Sequence, residues 1–219
     1  AAEAGHSMIY LCIISHKRPH ILKRCVDSLQ PVAQRVQIWT LQQGLPSDSP
    51  FIEFNAHERR IITGNLGCAG GRKYLLKQLC LKPDDITVWL DDDIVASGEA
   101  WLDALTQPLI DGSADITGVE GMEVLPTLYT QPTDRAPHYV SGGWCAISAK
   151  VFLAGVTFDV RFTPNYWEDV DLCFQARSKG FRIVSVKNCG LHHQAHPANE
   201  QIFMKSRAQF MLKYGYLQH

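Results

Sequence analysis

The stretch ITVWLDDDIVAS, residues 86–97, decides how the chain is read. An apolar run from Ile86 to Leu90 passes directly into Asp91, Asp92 and Asp93. Adjacent carboxylates repel one another, and none tolerates burial without a partner. The apolar run has the length and β-branched content of a buried strand. The acids then fall at its carboxyl end, where ligands bind in open α/β sheets. Side chains alternate along extended backbone, so Asp91 and Asp93 share one side and Asp92 takes the other. Such a pair is a hard oxygen site suited to Mg2+ or Mn2+, with room left for phosphate oxygens. A solvated acidic turn is the competing reading.

Working outward, MIYLCII (8–14) reads as another buried parallel strand. Leu22, Cys25, Val26 and Leu29 recur at helical spacing, with Pro19 suited to the first turn. RVQIWTL (35–41) and RRIIT (59–63) read as strands. GNLGCAGGRKYLLKQL (64–79) opens on glycines and continues as a helix turning Leu75, Leu76 and Leu79 inward. This alternation predicts an α/β/α sandwich, Rossmann-like, with a mainly parallel central sheet.

Beyond a helix around Trp101, Leu102, Leu105 and Leu109 the pieces shorten: DITGVE (115–120), HYVSGGWCAIS (138–148), and FRIVSV (181–186) as strands. EDVDLCFQARSKG (168–180) reads as a helix closed by Gly180, and residues 200–214 as a last helix. A soft boundary near residue 97 separates 1–97 from 98–219, with both halves sharing one sheet. Residues 123–138 carry no readable pattern.

At 219 residues the chain can bury one large core. Its formal net charge of −1 gives no bias toward nucleic acid. No apolar run approaches the roughly 20 residues that span a bilayer; peripheral membrane contact is compatible with that. The seven cysteines contain no C-x-x-C pair and sit mostly in apolar patterns, so free thiols in a reducing, cytoplasmic setting are expected.

Two further constellations carry chemistry. Glu168, Asp169 and Asp171 gather at a helix start behind Tyr166 and Trp167. Acids there suit the helix dipole, which is the structural explanation, and a carboxylate in a cleft also suits a general base. In CGLHHQAHP (189–197), alternation places Cys189, Leu191 and His193 on one face and His192 on the other. If the apolar members face the core, His193 points inward and can ligate a metal.

Taken together these motifs resemble the GT-A glycosyltransferases of the large family 2 type. SHKRPHILKRCVDSL, GNLGCAGGRKYLL, WLDDD, SGGWCAIS and WEDVDLCFQARSKGFRIVSV match that family's segments in order along nearly the whole chain. The resemblance implies an inverting transferase moving a sugar from a nucleotide-diphosphate sugar, UDP-sugar favoured, to a glycan, lipid-linked or protein acceptor. It implies Mn2+ or Mg2+ held by Asp93, His193 and Asp91. Ser15, Arg18, Asn65, Gly67, Arg72, Asp91 and Asp92 would bind the nucleotide sugar. Gln43 or Gln42 would read the base, because LQQG stands where the family often has an acid or Asn. Asp169 would be the base, with Glu168 beside it, and Trp167, Gly142, Gly143 and Trp144 would face the acceptor. Lys205 and Arg207 either close over the phosphates or lie on a solvated helix face.

Three other readings compete with this one. A sugar-phosphate nucleotidyltransferase opens with a Gly-rich loop, and SHKRP has no glycine. A haloacid-dehalogenase-like phosphatase carries its Asp-x-Asp after the first strand, which here ends in SHK. A non-catalytic nucleotide-sugar-binding module on the same fold would not need Asp93, Asp169 and His193 together.

Overall fold

The computed structural model of the chain describes residues 7–45, 58–133, 135–188, 190–194 and 199–215. The first half contributes strand β1 (Ile9–His16), helix α1 (Pro19–Ser28), β2 (Gln37–Gln43), β3 (Glu58–Thr63), α2 (Gly67–Leu76), β4 (Ile86–Asp91) and β5 (Ile94–Ala96). The second contributes α3 (Ala100–Ile110), β6 (Ile116–Gly118), β7 (Gly121–Val124), β8 (Thr130–Pro132), β9 (Tyr139–Val140), β10 (Trp144–Ser148), α4 (Ala149–Leu153), α5 (Glu168–Ser178), β11 (Ile183–Ser185), β12 (Leu191–His193) and α6 (Glu200–Tyr214).

The seven-stranded central sheet has the order β11-β6-β10-β4-β1-β2-β3. Neighbours β4, β1, β2 and β3 pair in parallel, as do β6 and β11, while β10 runs antiparallel to both β4 and β6. The mainly parallel sheet expected from the apolar runs is therefore present, and strands of both halves build it. Alternation along these strands feeds two cores. Leu11, Ile13, Val88 and Leu90 turn toward α1 and α3, with Leu22, Val26, Trp101 and Leu102. Cys12 and Trp89 turn the other way, with Leu75, Phe162, Leu172 and Phe210. Each large apolar side chain buried this way stabilises the sandwich by about 1.5–3 kcal/mol.

Register then determines what meets at the sheet's carboxyl edge. Ile14 pairs with Asp91 and His16 with Gln43, so β1 and β2 end level while β4 stops short of them, opposite Ile14. Antiparallel β10 enters at the same edge, where the Asp91 N–H donates to the Gly143 carbonyl at 2.8 Å.

Some elements differ from the sequence reading. β2 starts at Gln37 because the Arg35 N–H is taken by the Val32 carbonyl in a tight turn, and it continues to Gln43. α2 stops at Leu76, and tightened bonds from Gln78 and Leu79 back to Leu75 and Leu76 bring Leu79 into the core. HYVSGGWCAIS is broken into β9 and β10 at Ser141–Gly143. β11 is confined to Ile183–Ser185, since the Phe181 N–H closes α5 onto the Ala176 carbonyl. The segment that carried no pattern contributes β8 and the end of β7 to a small antiparallel sheet, β8-β7-β9.

α5 ends at Gly180, whose φ of +84° suits glycine and whose N–H reaches the Arg177 carbonyl at 2.9 Å. α6 is tied to α5 through Asp171, which is fully buried. Its carboxylate accepts from Lys213 Nζ at 2.6 Å, the Tyr214 hydroxyl at 2.8 Å and Gln175 Nε2 at 2.6 Å. Asp171 is thus a structural member of the acidic cluster at this helix start.

Candidate active site

The acidic turn between β4 and β5 is answered from the other half by β12. β12 pairs antiparallel with β5, with Leu191 opposite Ala96 and His193 opposite Ile94. Leu191 is buried, and His193, two residues on, comes back to the acids. His193 Nε2 lies 3.2 Å from Asp93 Oδ1. One ligand atom each from Asp91, Asp93 and His193 falls within 4.8 Å of the others. That separation and an O/O/N donor set fit a divalent ion held at about 2.0–2.2 Å, with positions left for other oxygens. Burial works against ionisation of Asp93, but the hydrogen bond and charge of His193 and the nearby Arg18 outweigh it, holding its carboxyl below the usual range. The same hydrogen bond to Asp93 raises the His193 imidazole. His192 turns away, its Nε2 3.4 Å from Ser97 Oγ.

Asp92 takes the opposite side and is 1% exposed. Its carboxylate accepts from Ser15 Oγ at 2.6 Å and from the Arg18 guanidinium through Nε at 3.2 Å and through Nη2. Burial nevertheless pushes its carboxyl up to about 6. Arg18 also approaches Asp93 at 3.5 Å, so the guanidinium spans the two acids while remaining 37% exposed to the cleft.

That cleft holds 630 Å3 and runs from Ser15, Arg18 and Gln43 past Asn65 and Gly67 to Asp91 and Asp92. Gln43 lines it, but both ends of its amide are engaged: Nε2 donates to the Gly67 carbonyl at 3.3 Å and Oε1 accepts from the Leu66 N–H at 2.8 Å. Gln42 accepts from Arg60. Asn65 Oδ1 accepts from the Gly67 N–H at 3.0 Å, shaping the turn into α2. Gly67 sits at φ +70°, and a β-carbon there would lie 3.0 Å from the Pro164 carbonyl.

On the other side of Asp91, Arg72 is 3% exposed and uses its planar fork twice. Nη2 meets Asp91 at 3.0 Å and Nη1 meets Glu168 Oε1 at 3.0 Å. The Cys68 thiol donates to that same Oε1 at 2.9 Å. Burial pushes the Glu168 carboxyl up to about 7 against the pull of Arg72. Asp169 is more open. Its two oxygens accept the N–H groups of Gly142 at 3.0 Å and Val170 at 2.8 Å. Glycine is required on this wall: a β-carbon at Gly143 would lie 2.3 Å from Asp91 Oδ2, and one at Gly142 2.5 Å from Arg72 Nη1. Tyr166 and Trp167 enter α5 at φ 71° and 67°, a left-handed conformation costing non-glycine residues about 1–3 kcal/mol each and found mostly at functional sites.

Asp91, Cys68, Arg72, Glu168, Asp169 and Trp167 line a second pocket of 240 Å3, which Gly143 also borders. Trp144 does not line it; its indole packs against His193 with ring centres 5.4 Å apart. Arg207 is turned to the loop between β7 and β8, donating to the Thr127 carbonyl and stacking on Tyr129, and Lys205 is exposed. Cys189 lies outside the described residues. Sequence reasoning missed Cys68, Tyr139, Asn165 and Phe203, which also line this pocket. Cys68 stood inside a quoted motif; the others had no local signal.

The chain has the GT-A fold, carrying an Asp-x-Asp-like acidic cluster at the carboxyl edge of its central sheet. Among solved structures it is similar to the mannosyltransferase PcManGT from Pyrobaculum calidifontis in complex with GDP-Man and Mn2+, with TM-score 0.62 and 10% identity over 82% of this chain and 55% of that one. It is also similar to GalNAc-T7 with UDP, GalNAc and Mn2+, with TM-score 0.75 and 11% identity over 96% of this chain and 48% of that one. The chain thus spans about half the length of these structures. No protein-family model and no curated protein sequence matches it.

Proposed function

We propose that the chain is a divalent-metal-dependent glycosyltransferase that moves a sugar from a nucleotide-diphosphate sugar to an acceptor hydroxyl with inversion. The observation carrying this is the convergence of Asp91, Asp93 and His193, with Asp91 lining both the 630 Å3 cleft and the smaller pocket that holds Asp169. Two solved neighbours of this fold hold Mn2+ with GDP-Man or with UDP and GalNAc, which supports a nucleotide-sugar donor here and puts GDP beside the favoured UDP.

Asp91, Asp93 and His193 would hold the ion, and the imidazole favours a transition metal such as Mn2+ over Mg2+. When bound, the ion supplies charge neutralisation for the departing diphosphate. Arg18, braced by Asp92 and Ser15, presents its exposed edge to the same cleft. Asp169 takes the proton of the acceptor hydroxyl. The Gly142 and Val170 N–H groups hold its carboxylate in place, and stay bonded to its oxygens while it does so. Attack opposite the leaving group inverts the anomeric centre in one displacement. Arg72 keeps Asp91 and Glu168 apart and paired, so the charge on this wall is partly neutralised before substrate arrives.

Among the described residues no helix is long and apolar enough to cross a membrane. The free cysteines Cys12, Cys25, Cys145 and Cys173 are buried, in keeping with a reducing, cytoplasmic setting. A donor panel tests the function. UDP-, GDP- and dTDP-sugars are offered with Mn2+ or Mg2+, and hydrolysis and melting temperature are followed. A cognate donor at about 100 times its Kd stabilises the native state by about 2.7 kcal/mol. If no nucleotide sugar is hydrolysed or raises the melting temperature, the proposal fails.

A further inference from the structure

Helix α2 opens on Gly67-Cys68-Ala69-Gly70-Gly71-Arg72, so Cys68 carries the one hydrogen-bonding side chain before Arg72. The glycines have a reason. A β-carbon at Gly67 would lie 3.0 Å from the Pro164 carbonyl, and one at Gly71 2.7 Å from Gln43 Nε2. Cys68 and Arg72 stand one helical turn apart, on one face. Both reach across to α5, where the Cys68 thiol and Arg72 Nη1 end on the same oxygen, Glu168 Oε1, at 2.9 and 3.0 Å. Cys68 also lines both the 630 Å3 cleft and the 240 Å3 pocket.

The backbone of Cys68 makes a second link. Its N–H donates to the Pro164 carbonyl at 2.7 Å. Cys68 therefore holds both ends of the segment 164–168. Between those ends Tyr166 and Trp167 take the left-handed backbone, which persists only where the surrounding structure holds it. Asp169 follows immediately, so its position depends on this entry. Arg72 divides its grip, since its other arm is committed to Asp91. The thiol is bound to Glu168 alone. Burial pushes it well above its ordinary range, so it remains an S–H donor at neutral pH.

We propose that Cys68 is a positioning residue for transfer: its thiol, holding Glu168 from α2, fixes the strained entry to α5 and with it the place of the Asp169 carboxylate. The inference rests on the glycosyltransferase reading with Asp169 as the base, and it gives a role to a residue outside the acids and the metal cluster. The charged groups that act on Glu168 are Arg72 from α2 and Asp169 on its own helix. The thiol bond favours the ionised carboxyl, so without it Glu168 takes up its proton at a pH above the present value of about 7.

The test compares Cys68→Ala, Cys68→Val and Cys68→Ser with the parent, as full chains with Mn2+. Turnover is read as hydrolysis of UDP- and GDP-sugars, water standing in for the acceptor hydroxyl. Affinity is read as UDP or GDP binding by calorimetry, and the Glu168 midpoint by carboxyl-carbon NMR of glutamate-labelled chain. Cys68→Ala is expected to lower kcat about tenfold or more, the scale of one hydrogen bond to a charged group. Nucleotide affinity is expected to stay within about twofold, and the Glu168 midpoint to move upward. Cys68→Val fills the space of the thiol without a donor and is expected to do the same, so the test does not depend on how the alanine variant folds. Cys68→Ser keeps a donor and is expected to recover most of kcat and the parent midpoint. If a folded variant without the donor keeps the parent kcat or the parent midpoint, or loses nucleotide affinity in step with kcat, the inference is overturned and the transferase reading stands. If the parent neither hydrolyses a nucleotide sugar nor binds UDP or GDP with Mn2+, the transferase reading itself is lost, and this inference with it.

Discussion

Arg72 and Glu168 lie 96 residues apart in the chain and meet at 3.0 Å, with side chains 3% and 5% exposed. The same guanidinium holds Asp91, so one residue of α2 ties the acidic turn of the first half to the helix start of the second. Removing one member of a buried pair leaves the other charge uncompensated and costs about 3–5 kcal/mol. Arg72→Ala is expected to lower stability by that amount in urea denaturation. Arg72→Lys is expected to recover only part of it, because a single ammonium cannot reproduce the two-pronged fork. A loss below 1 kcal/mol for Arg72→Ala would show that the two acids find other partners.

Glu168 makes stability depend on pH with a definite sign. Burial raises its carboxyl to about 7 in the fold, above an unfolded value of about 4.3. The folded chain therefore keeps this proton when the unfolded chain has lost it, and stability falls as pH rises between those values. The contribution is fully present below about pH 4.3 and is lost as pH rises through about 7. Glu168→Gln cannot ionise, so its melting temperature relative to the parent is expected to climb between pH 5 and 8. Parallel melting curves across that range would contradict a raised carboxyl.

Asp169 and Asp171 stand two residues apart on α5 and have opposite expected phenotypes. Asp171 is wholly buried under Lys213, Tyr214 and Gln175, so Asp171→Ala is expected to cost about 3–5 kcal/mol and loosen α6. Asp169 is half-buried, so Asp169→Asn is expected to change stability by no more than about 1 kcal/mol. Transfer is expected to fall on the order of 10²- to 10⁴-fold, with donor affinity retained. Melting temperature and transfer rate measured on both variants separate the two roles.

What the sequence shows here is mostly what its periodicities encode. The apolar runs 8–14 and 86–90 marked parallel strands, and the cleft opens where those strands end. Alternation through Leu191 placed His193, and not His192, beside Asp93. Long-range partners left no such trace. Nothing local to Cys68 shows that its thiol meets Glu168, and Gln43 gives no sign that both ends of its amide are engaged by the loop before α2. β7 and β8 were unreadable because they are only three or four residues long and are secured by tertiary pairing, while β9 was read only as part of the longer run 138–148.

The two adjacent histidines give a register test. His193→Ala is expected to weaken Mn2+ binding by more than the roughly 10- to 100-fold typical of losing an outer-shell partner. His192→Ala is expected to leave it within about twofold, since its ring faces Ser97. Titration calorimetry with Mn2+ on both variants reads the difference, and the reverse order would mean that β12 is shifted by one residue.

The central claim is that Asp91, Asp93 and His193 hold a metal which in turn holds a nucleotide diphosphate. Isothermal calorimetry of UDP and GDP binding to the parent and to Asp93→Ala, each with Mn2+ and with EDTA, tests it most directly. The expected result is binding of at least one nucleotide to the parent in Mn2+, none in EDTA, and none to a folded Asp93→Ala in either condition. Equal nucleotide affinity in EDTA, or an Asp93→Ala chain that binds as the parent does, would contradict it.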